Sequence, residues 1–171
     1  MPADGSILDA WLAAIGDSSL GRTIAGNGVI FPSLETVHVF AIAGVFGTIL
    51  VVDLRLMGIA SRDMRVSALS RSLLPLTWGA FVVAALTGAL MIASKPLDYL
   101  ANTALRVKFA LLVAAAVNMA VFHLVTSNGI ATWDGHPRPP WPARLAGALS
   151  LATWCGVVAA GRWIGFTMAP F

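Results

Sequence analysis

Apolar residues fill four long stretches of this chain, and short polar segments separate them. The stretches cover residues 34–60, 73–94, 103–126 and 145–168. Each one meets or exceeds the roughly 20 residues that an α-helix needs to cross a bilayer. The pattern predicts an all-α fold, an integral membrane four-helix bundle that forms one transmembrane domain over residues 1–171.

Two segments outside these stretches have patterns of their own. Ahead of the first stretch, apolar residues recur at helical spacing, namely Ile7, Leu8, Trp11, Leu12 and Ile15. They predict a short amphipathic helix that lies along the membrane surface. The segment between the third and fourth stretches is rich in proline and glycine, so we expect a stiff extended connection there rather than another helix.

Composition supports the membrane assignment, and the distribution of charge adds an orientation. The chain is 58% apolar and 11% charged, which is too hydrophobic for an ordinary soluble domain. Most basic residues lie in the loops after the first and third stretches or at the helix ends beside those loops: Arg55, Arg62, Arg65, Arg71, Arg138 and Arg144. The positive-inside rule then predicts both termini on the periplasmic side of a bacterial inner membrane. A few arginines at span ends do not form a clustered basic face, so we expect no nucleic-acid partner.

Polar residues inside a membrane span are costly and are therefore candidates for function. Four antiparallel spans place the start of the first, the end of the second, the start of the third and the end of the fourth at one level. This predicted outer layer contains Glu35, His38, Met91, Lys108 and Arg162.

A second, inner layer is predicted from equal offsets along two parallel spans. Asp53 follows His38 by 15 residues, and His123 follows Lys108 by 15 residues; each offset corresponds to about 22 Å of helix. A haem held between two histidines needs both at one depth, so His38 and His123 of one chain do not form such a site. The layers instead pair His38 with Lys108, and they place Asp53 within hydrogen-bonding reach of His123, directly or through one water.

Three segments resemble a known family. They are "LETVHVFAIAGVFGTILVVDLRLMG", "LTWGAFVVAALTGAL" and "LRVKFALLVAAAVNMAVFHLV". They resemble the HemJ-type protoporphyrinogen oxidases and related small four-span bacterial haem proteins, whose first span carries a histidine and whose third carries a lysine. His38 and Lys108 fall on those positions, Arg55-Leu56 matches the end of the first span, and Gly88 matches a glycine of the second. The resemblance covers about residues 34–125, just over half of the chain.

The resemblance implies a membrane-embedded b-type haem protein that takes part in electron transfer or porphyrin redox chemistry. His38 would be the axial ligand of the iron, and Lys108 as a neutral amine, or Met91, would take the second axial position if it is filled. Arg162 would meet the haem propionates through its planar guanidinium. Glu35, one turn before His38, would orient the imidazole or relay a proton.

Two functions of other classes remain open from the residues alone. His38 and Glu35 at i, i+3 resemble half of a bundle metal motif, which would hold copper or another transition ion. Alternatively, the polar residues only fix helix register in a small transporter or scaffold that has no cofactor. Small residues on the spans favour a homo-oligomer, and a redox protein of this kind would meet a quinone or another redox partner in the bilayer.

Overall fold

A computed structural model describes residues 7–126 and 129–168 of the chain. Its helices are α1 (Ile7–Gly16), α2 (Ser19–Gly26), α3 (Ile30–Leu56), α4 (Val66–Ser94), α5 (Pro96–Ala101), α6 (Thr103–Val121), α7 (Ile130–Trp133) and α8 (Trp141–Thr167), and α6 continues through a π-helical turn, Phe122–Thr126. The described residues contain no β-strand. Four of these helices, α3, α4, α6 with its π-turn, and α8, are long and apolar enough to cross a membrane. The predicted all-α membrane bundle is therefore confirmed.

The ends of the first span are set by local hydrogen bonding and by one glycine. The side chain of Asn27 accepts hydrogen bonds from the backbone N–H groups of Val29 and Ile30, at 2.9 and 3.2 Å, just where α3 begins. At the other end Gly58 adopts a φ of 71°, a left-handed conformation that ends a helix and favours glycine. Apolarity alone extended the predicted span to residue 60, four residues too far.

The second span starts seven residues before its predicted start at residue 73, because a residue from another segment satisfies its N-terminus. The carboxylate of Asp134, just after α7, accepts hydrogen bonds from the backbone N–H of Ser67 at 2.8 Å and from the Ser67 hydroxyl at 2.5 Å. A carboxylate at a helix N-terminus satisfies free N–H groups and interacts favourably with the helix dipole. The polar run that opens α4 is therefore helical.

Helix α3 is the centre of the bundle and packs against both α4 and α8, while α6 packs against α8. Small residues allow these approaches: a methyl group added to Gly147 on α8 would come within 3.0 Å of the Asp53 carbonyl of α3. Thr77 of α4 donates a hydrogen bond to Thr48 of α3 at 2.8 Å. Among the described residues, α4 and α6 lack a comparable contact, so a seam runs between these two helices.

The chain ahead of the first span forms two helices. The predicted apolar helix is α1, and its apolar residues are exposed, with Ile7 at 81% and Trp11 at 67%. The second helix, α2, was not predicted. It packs against α4 so closely that a methyl group on Gly21 would lie 2.9 Å from the Ala93 carbonyl.

The connections between spans are more helical than predicted. Short helix α5 joins α4 to α6, and α7 lies in the segment that was expected to be an extended connection. That expectation was wrong for Ile130–Trp133, because Trp133 is buried in an apolar cluster with Leu56, Val66 and Ala143. The proline-rich part that follows is not helical until α8 begins.

Arg55 joins the two loops at the end of the bundle where α3 finishes, which we call the Arg55 end. Its side chain is completely buried. It donates hydrogen bonds from Nε to the Met64 carbonyl at 2.7 Å, and from Nη2 to the carbonyls of Asp134 and His136 at 3.2 and 3.0 Å. One guanidinium thus holds both loops against the end of α3.

We expect Arg55→Leu to lower the free energy of unfolding by about 3 kcal/mol, because the carbonyls of Met64 and His136 lose their donor and each unsatisfied buried group costs about 1–3 kcal/mol. The Asp134 carbonyl keeps its hydrogen bond from the backbone N–H of Val66. Thermal unfolding of the purified protein in detergent measures the change. The matched variant Arg138→Leu removes an exposed guanidinium and should change the free energy by no more than about 0.5 kcal/mol. Equal effects of the two variants would contradict this role of Arg55.

Because of Asp134, the stability of the Arg55 end depends on pH. Partial burial disfavours its ionised form, but hydrogen bonds from the side chain and backbone of Ser67, with the charges of Arg65 and Arg55, outweigh burial and lower the pKa of Asp134. The folded pKa therefore lies below the unfolded value of about 3.9. The carboxylate stabilises the fold above that unfolded value, and this contribution is lost as the pH falls through the folded value.

Asp134→Asn should therefore unfold at a lower temperature than the wild type at neutral pH, and the difference should shrink below about pH 4, where the wild-type carboxylate also becomes neutral. Unfolding midpoints at a series of pH values test this. Asp63→Asn, which alters an exposed loop carboxylate, serves as the control. A constant difference between wild type and Asp134→Asn at all pH values would show that the charge is not responsible.

Candidate cofactor site

His38 and Lys108 meet between the first and third spans, as their predicted depths required. His38 lies on α3 and Lys108 on α6, and both side chains are half-buried. The distance from Lys108 Nζ to His38 Nε2 is 3.5 Å, which is long for a hydrogen bond between nitrogens. We call this part of the bundle the His38 end.

Thr87 of α4 fixes the orientation and tautomer of the imidazole. His38 Nδ1 lies 2.9 Å from Thr87 Oγ1, and that hydroxyl donates its own hydrogen to the Val83 carbonyl at 2.7 Å. A hydroxyl has one hydrogen to donate, so Thr87 accepts from His38 Nδ1–H. The lone pair of the neutral imidazole is then on Nε2, the nitrogen that faces Lys108. A histidine that ligates a metal is commonly held by its other nitrogen in this way.

Glycines make room for both side chains. A methyl group at Gly88 would lie 3.1 Å from His38 Cε1, and one at Gly161 would lie 3.4 Å from Lys108 Nζ. The imidazole therefore rests against the backbone of α4, and the lysine end lies against α8. All four spans contribute to the site: α3 and α6 supply the nitrogens, and α4 and α8 supply the surfaces beside them.

The other residues predicted for this layer do not join the pair directly. Glu35 is exposed, Met91 is half-buried, and Arg162 is exposed with its guanidinium 4.7 Å from the ring centre of Phe166. In the structure the nitrogens of His38 face Thr87 and Lys108, and the role of Glu35 in orienting the imidazole or relaying a proton stays a prediction.

The charge of Glu35 acts on the neighbouring short helix α5. Burial, together with this carboxylate, raises the pKa of Tyr99 to about 12. Tyr99 is only 7% exposed. The Glu35 carboxylate is thus close enough to α5 to disfavour ionisation of the Tyr99 phenol.

The predicted inner pair lies at the Arg55 end. Asp53 and His123 both line a cavity between the spans that does not include His38 or Lys108. Asp53 is hydrogen-bonded to the Ser150 side chain, and His123 Nδ1 lies 2.8 Å from the Met119 carbonyl. The structure thus keeps His38 and His123 at separate levels, in accord with the sequence offsets.

Metal ligation by side chains alone was a second hypothesis for His38 and Glu35. Across residues 7–126 and 129–168, no three histidine, cysteine, aspartate or glutamate side chains come together as a metal site. The donors that do converge are two nitrogens, those of His38 and Lys108.

Two residues of these sites were missed from the sequence. Thr87 directly precedes Gly88, which the family resemblance had singled out, but a threonine in a span commonly bonds only its own helix. Ser150 lies on α8, whose sequence offered no motif to relate it to Asp53. Both become visible only when the helices are packed.

Comparison with known proteins gives a family for the chain. Searches of curated proteins and of solved structures find no match. A sequence-family model, described as a family of unknown function (DUF6644), matches residues 11–167. The match includes all four spans with His38, Thr87, Lys108 and Asp53, and the chain therefore belongs to the DUF6644 family.

Proposed function

We propose that this protein is a membrane-embedded b-type haem protein and that His38 supplies the axial nitrogen. The observation that carries the proposal is the His38–Lys108 pair, in which an imidazole held at Nδ1 by Thr87 directs its unprotonated Nε2 at a lysine nitrogen 3.5 Å away. Neutral imidazole is a common ligand of haem iron.

The donor set fits a haem iron with two axial nitrogens. His38 Nε2 and Lys108 Nζ converge to 3.5 Å and are the two nitrogens that would hold the iron. Gly88 and Gly161 keep the flanks of the pair free of side-chain bulk. The seam between α4 and α6 is where a flat macrocycle would enter the bundle.

Each residue of the site then has a distinct task. His38 would hold the iron, Thr87 would keep the imidazole in the correct tautomer, and Lys108 would supply the second nitrogen as a neutral amine. Arg162 directly follows Gly161 and is the residue we assign to a propionate, for which it would leave the ring of Phe166. Met91, one turn beyond Thr87, is the alternative second ligand.

A bound haem supplies one-electron redox chemistry, so we assign the protein to electron transfer or porphyrin redox chemistry. The resemblance to HemJ-type oxidases at His38, Gly88 and Lys108 supports the same cofactor. We do not assign the protoporphyrinogen oxidase reaction, because relatives that share a cofactor site need not share a reaction.

We further propose the bacterial cytoplasmic membrane as the location, with both termini on the periplasmic side. Arg62, Arg138 and Arg144 surround one cleft at the Arg55 end, and such clusters favour the cytoplasmic side. Many large apolar side chains on the spans are exposed in a single copy. Lipid, further copies of the chain and a redox partner such as a quinone are the partners that fit these surfaces.

The first test is the absorbance spectrum of the purified protein, in which we expect a Soret band. His38→Ala should abolish haem retention, whereas His123→Ala, at the other level of the bundle, should retain it. Haem content per protein measures both. Equal loss in the two variants would exclude a single haem at His38, and a wild-type protein without porphyrin after expression with sufficient haem would exclude the proposal itself.

The second test concerns Lys108. If the amine is an axial ligand, Lys108→Met should retain most of the haem and shift its absorption bands, because the thioether or an open position replaces the nitrogen. Lys95→Met changes the only other lysine of the sequence and should leave the spectrum unchanged. Loss of haem without a spectral shift in the retained fraction would place the lysine at a propionate, and no change at all would remove it from the site.

A further inference from the structure

A cavity of about 260 Å³ extends from the middle of the bundle toward the Arg55 end, between all four spans. Most of its lining is aliphatic and aromatic, and the aromatic side chains are those of Trp78, Phe81, Phe122 and Trp154. Neither His38 nor Lys108 lines it. The cavity is therefore separate from the site proposed for haem.

Asp53 lines this cavity, and one of its carboxylate oxygens has no partner among the residues that the structure describes. Asp53 is only 4% exposed, and its Oδ2 has no hydrogen-bond donor among the described residues, although its side chain is hydrogen-bonded to Ser150. Leaving a buried polar atom unsatisfied costs about 1–3 kcal/mol, and more for a charged group. A replacement of Asp53 by an apolar residue would avoid that cost, so the carboxylate is better explained as an acceptor for a ligand.

Part of the cavity lining is exposed on the outer faces of two apolar spans. The cavity lies at the seam, and lining residues on both sides of the seam are also exposed on the outside of the bundle: Trp78 of α4 is 48% exposed and Met119 of α6 is 41% exposed. Both helices are apolar spans. A molecule that enters by this route must first dissolve in lipid.

These features define the chemistry of the ligand. A cation would satisfy Asp53, but carrying a charge through the bilayer interior costs several kcal/mol. A neutral hydroxyl crosses more easily and donates the one hydrogen bond that Oδ2 lacks. Aromatic walls favour a ring, because offset and edge-to-face ring pairs add about 0.5–1.5 kcal/mol to the burial of their area.

We propose that this cavity binds a lipid-soluble phenol, whose ring lies among the aromatic side chains and whose hydroxyl donates to Asp53 Oδ2. The site extends the function beyond haem binding and does not depend on it. In this site a neutral hydroxyl group donates to a buried carboxylate, and the ligand reaches the cavity from the membrane.

The test uses two probes that differ in one donor. 6-Bromo-2-naphthol and its methyl ether have nearly the same shape, and their bromine quenches the fluorescence of Trp78 and Trp154. With the protein in lipid nanodiscs, we expect saturable quenching, with the naphthol bound at least about tenfold more tightly than the ether, because a hydrogen bond to a charged group contributes about 1.5–3 kcal/mol. Empty nanodiscs correct for partition of each probe.

Three variants make the result specific. Asp53→Leu should bind both probes with equal affinity, Ala115→Phe should fill the cavity and abolish saturable quenching by both, and Asp63→Leu, which alters an exposed loop carboxylate, should behave as the wild type. Circular dichroism of each variant checks that the helices are intact. Equal affinities of the two probes for the wild type, a preference that survives in Asp53→Leu, or saturable quenching that survives in Ala115→Phe would overturn the proposal.

Discussion

The structure depends on the rule that a polar group inside a bilayer must find its partner within the protein. The hydroxyls of Thr48 and Thr87 follow it by donating to carbonyls of their own helices, and the hydroxyl of Thr77 donates to Thr48. Thr77 and Thr87 also contact a side chain of α3, so each also links α3 to α4. The helices are thus aligned by a few polar contacts, while apolar residues supply most of the remaining surface.

The rule also separates structural polar groups from candidate functional ones. Arg55 makes three hydrogen bonds to loop carbonyls from two of its nitrogens, so it holds the Arg55 end together, although its Nη1 has no partner among the described residues. In His38 and in Asp53, one polar atom of the side chain has a hydrogen-bond partner at an ordinary distance and the other does not. The Nε2 of His38 has a distant partner at 3.5 Å, and Oδ2 of Asp53 has none among the described residues. An incomplete set of contacts at a buried polar atom is costly, and a bound molecule can complete it.

Much of this arrangement was predictable from spacing, because helices convert sequence distance into depth. The four spans follow from the lengths of the apolar stretches, and the level shared by His38 and Lys108 follows from their positions near the starts of two parallel spans. Span ends were less predictable: Gly58 ends α3 within an apolar stretch, and Asp134 allows α4 to begin in a polar one. Apolarity marks what lies in lipid, whereas caps and loop contacts determine where a helix stops.

The hydrogen-bond partners of His38 and Asp53 could not be predicted from the sequence, for a different reason. Thr87 and Ser150 are small, common residues, and each matters because of the helix face opposite to it. Arg55 was assigned to the charge bias of the loops, since an arginine at a span end fits that pattern whether it is exposed or buried.

Rotation of a helix about its axis determines which of these residues meet. The hydrophobic pattern constrains that rotation weakly when all sides of a helix are apolar. The rotation is fixed here by contacts between polar groups and glycines, such as His38 against Gly88 and Thr77 against Thr48, so the same few contacts that align the helices also build the site.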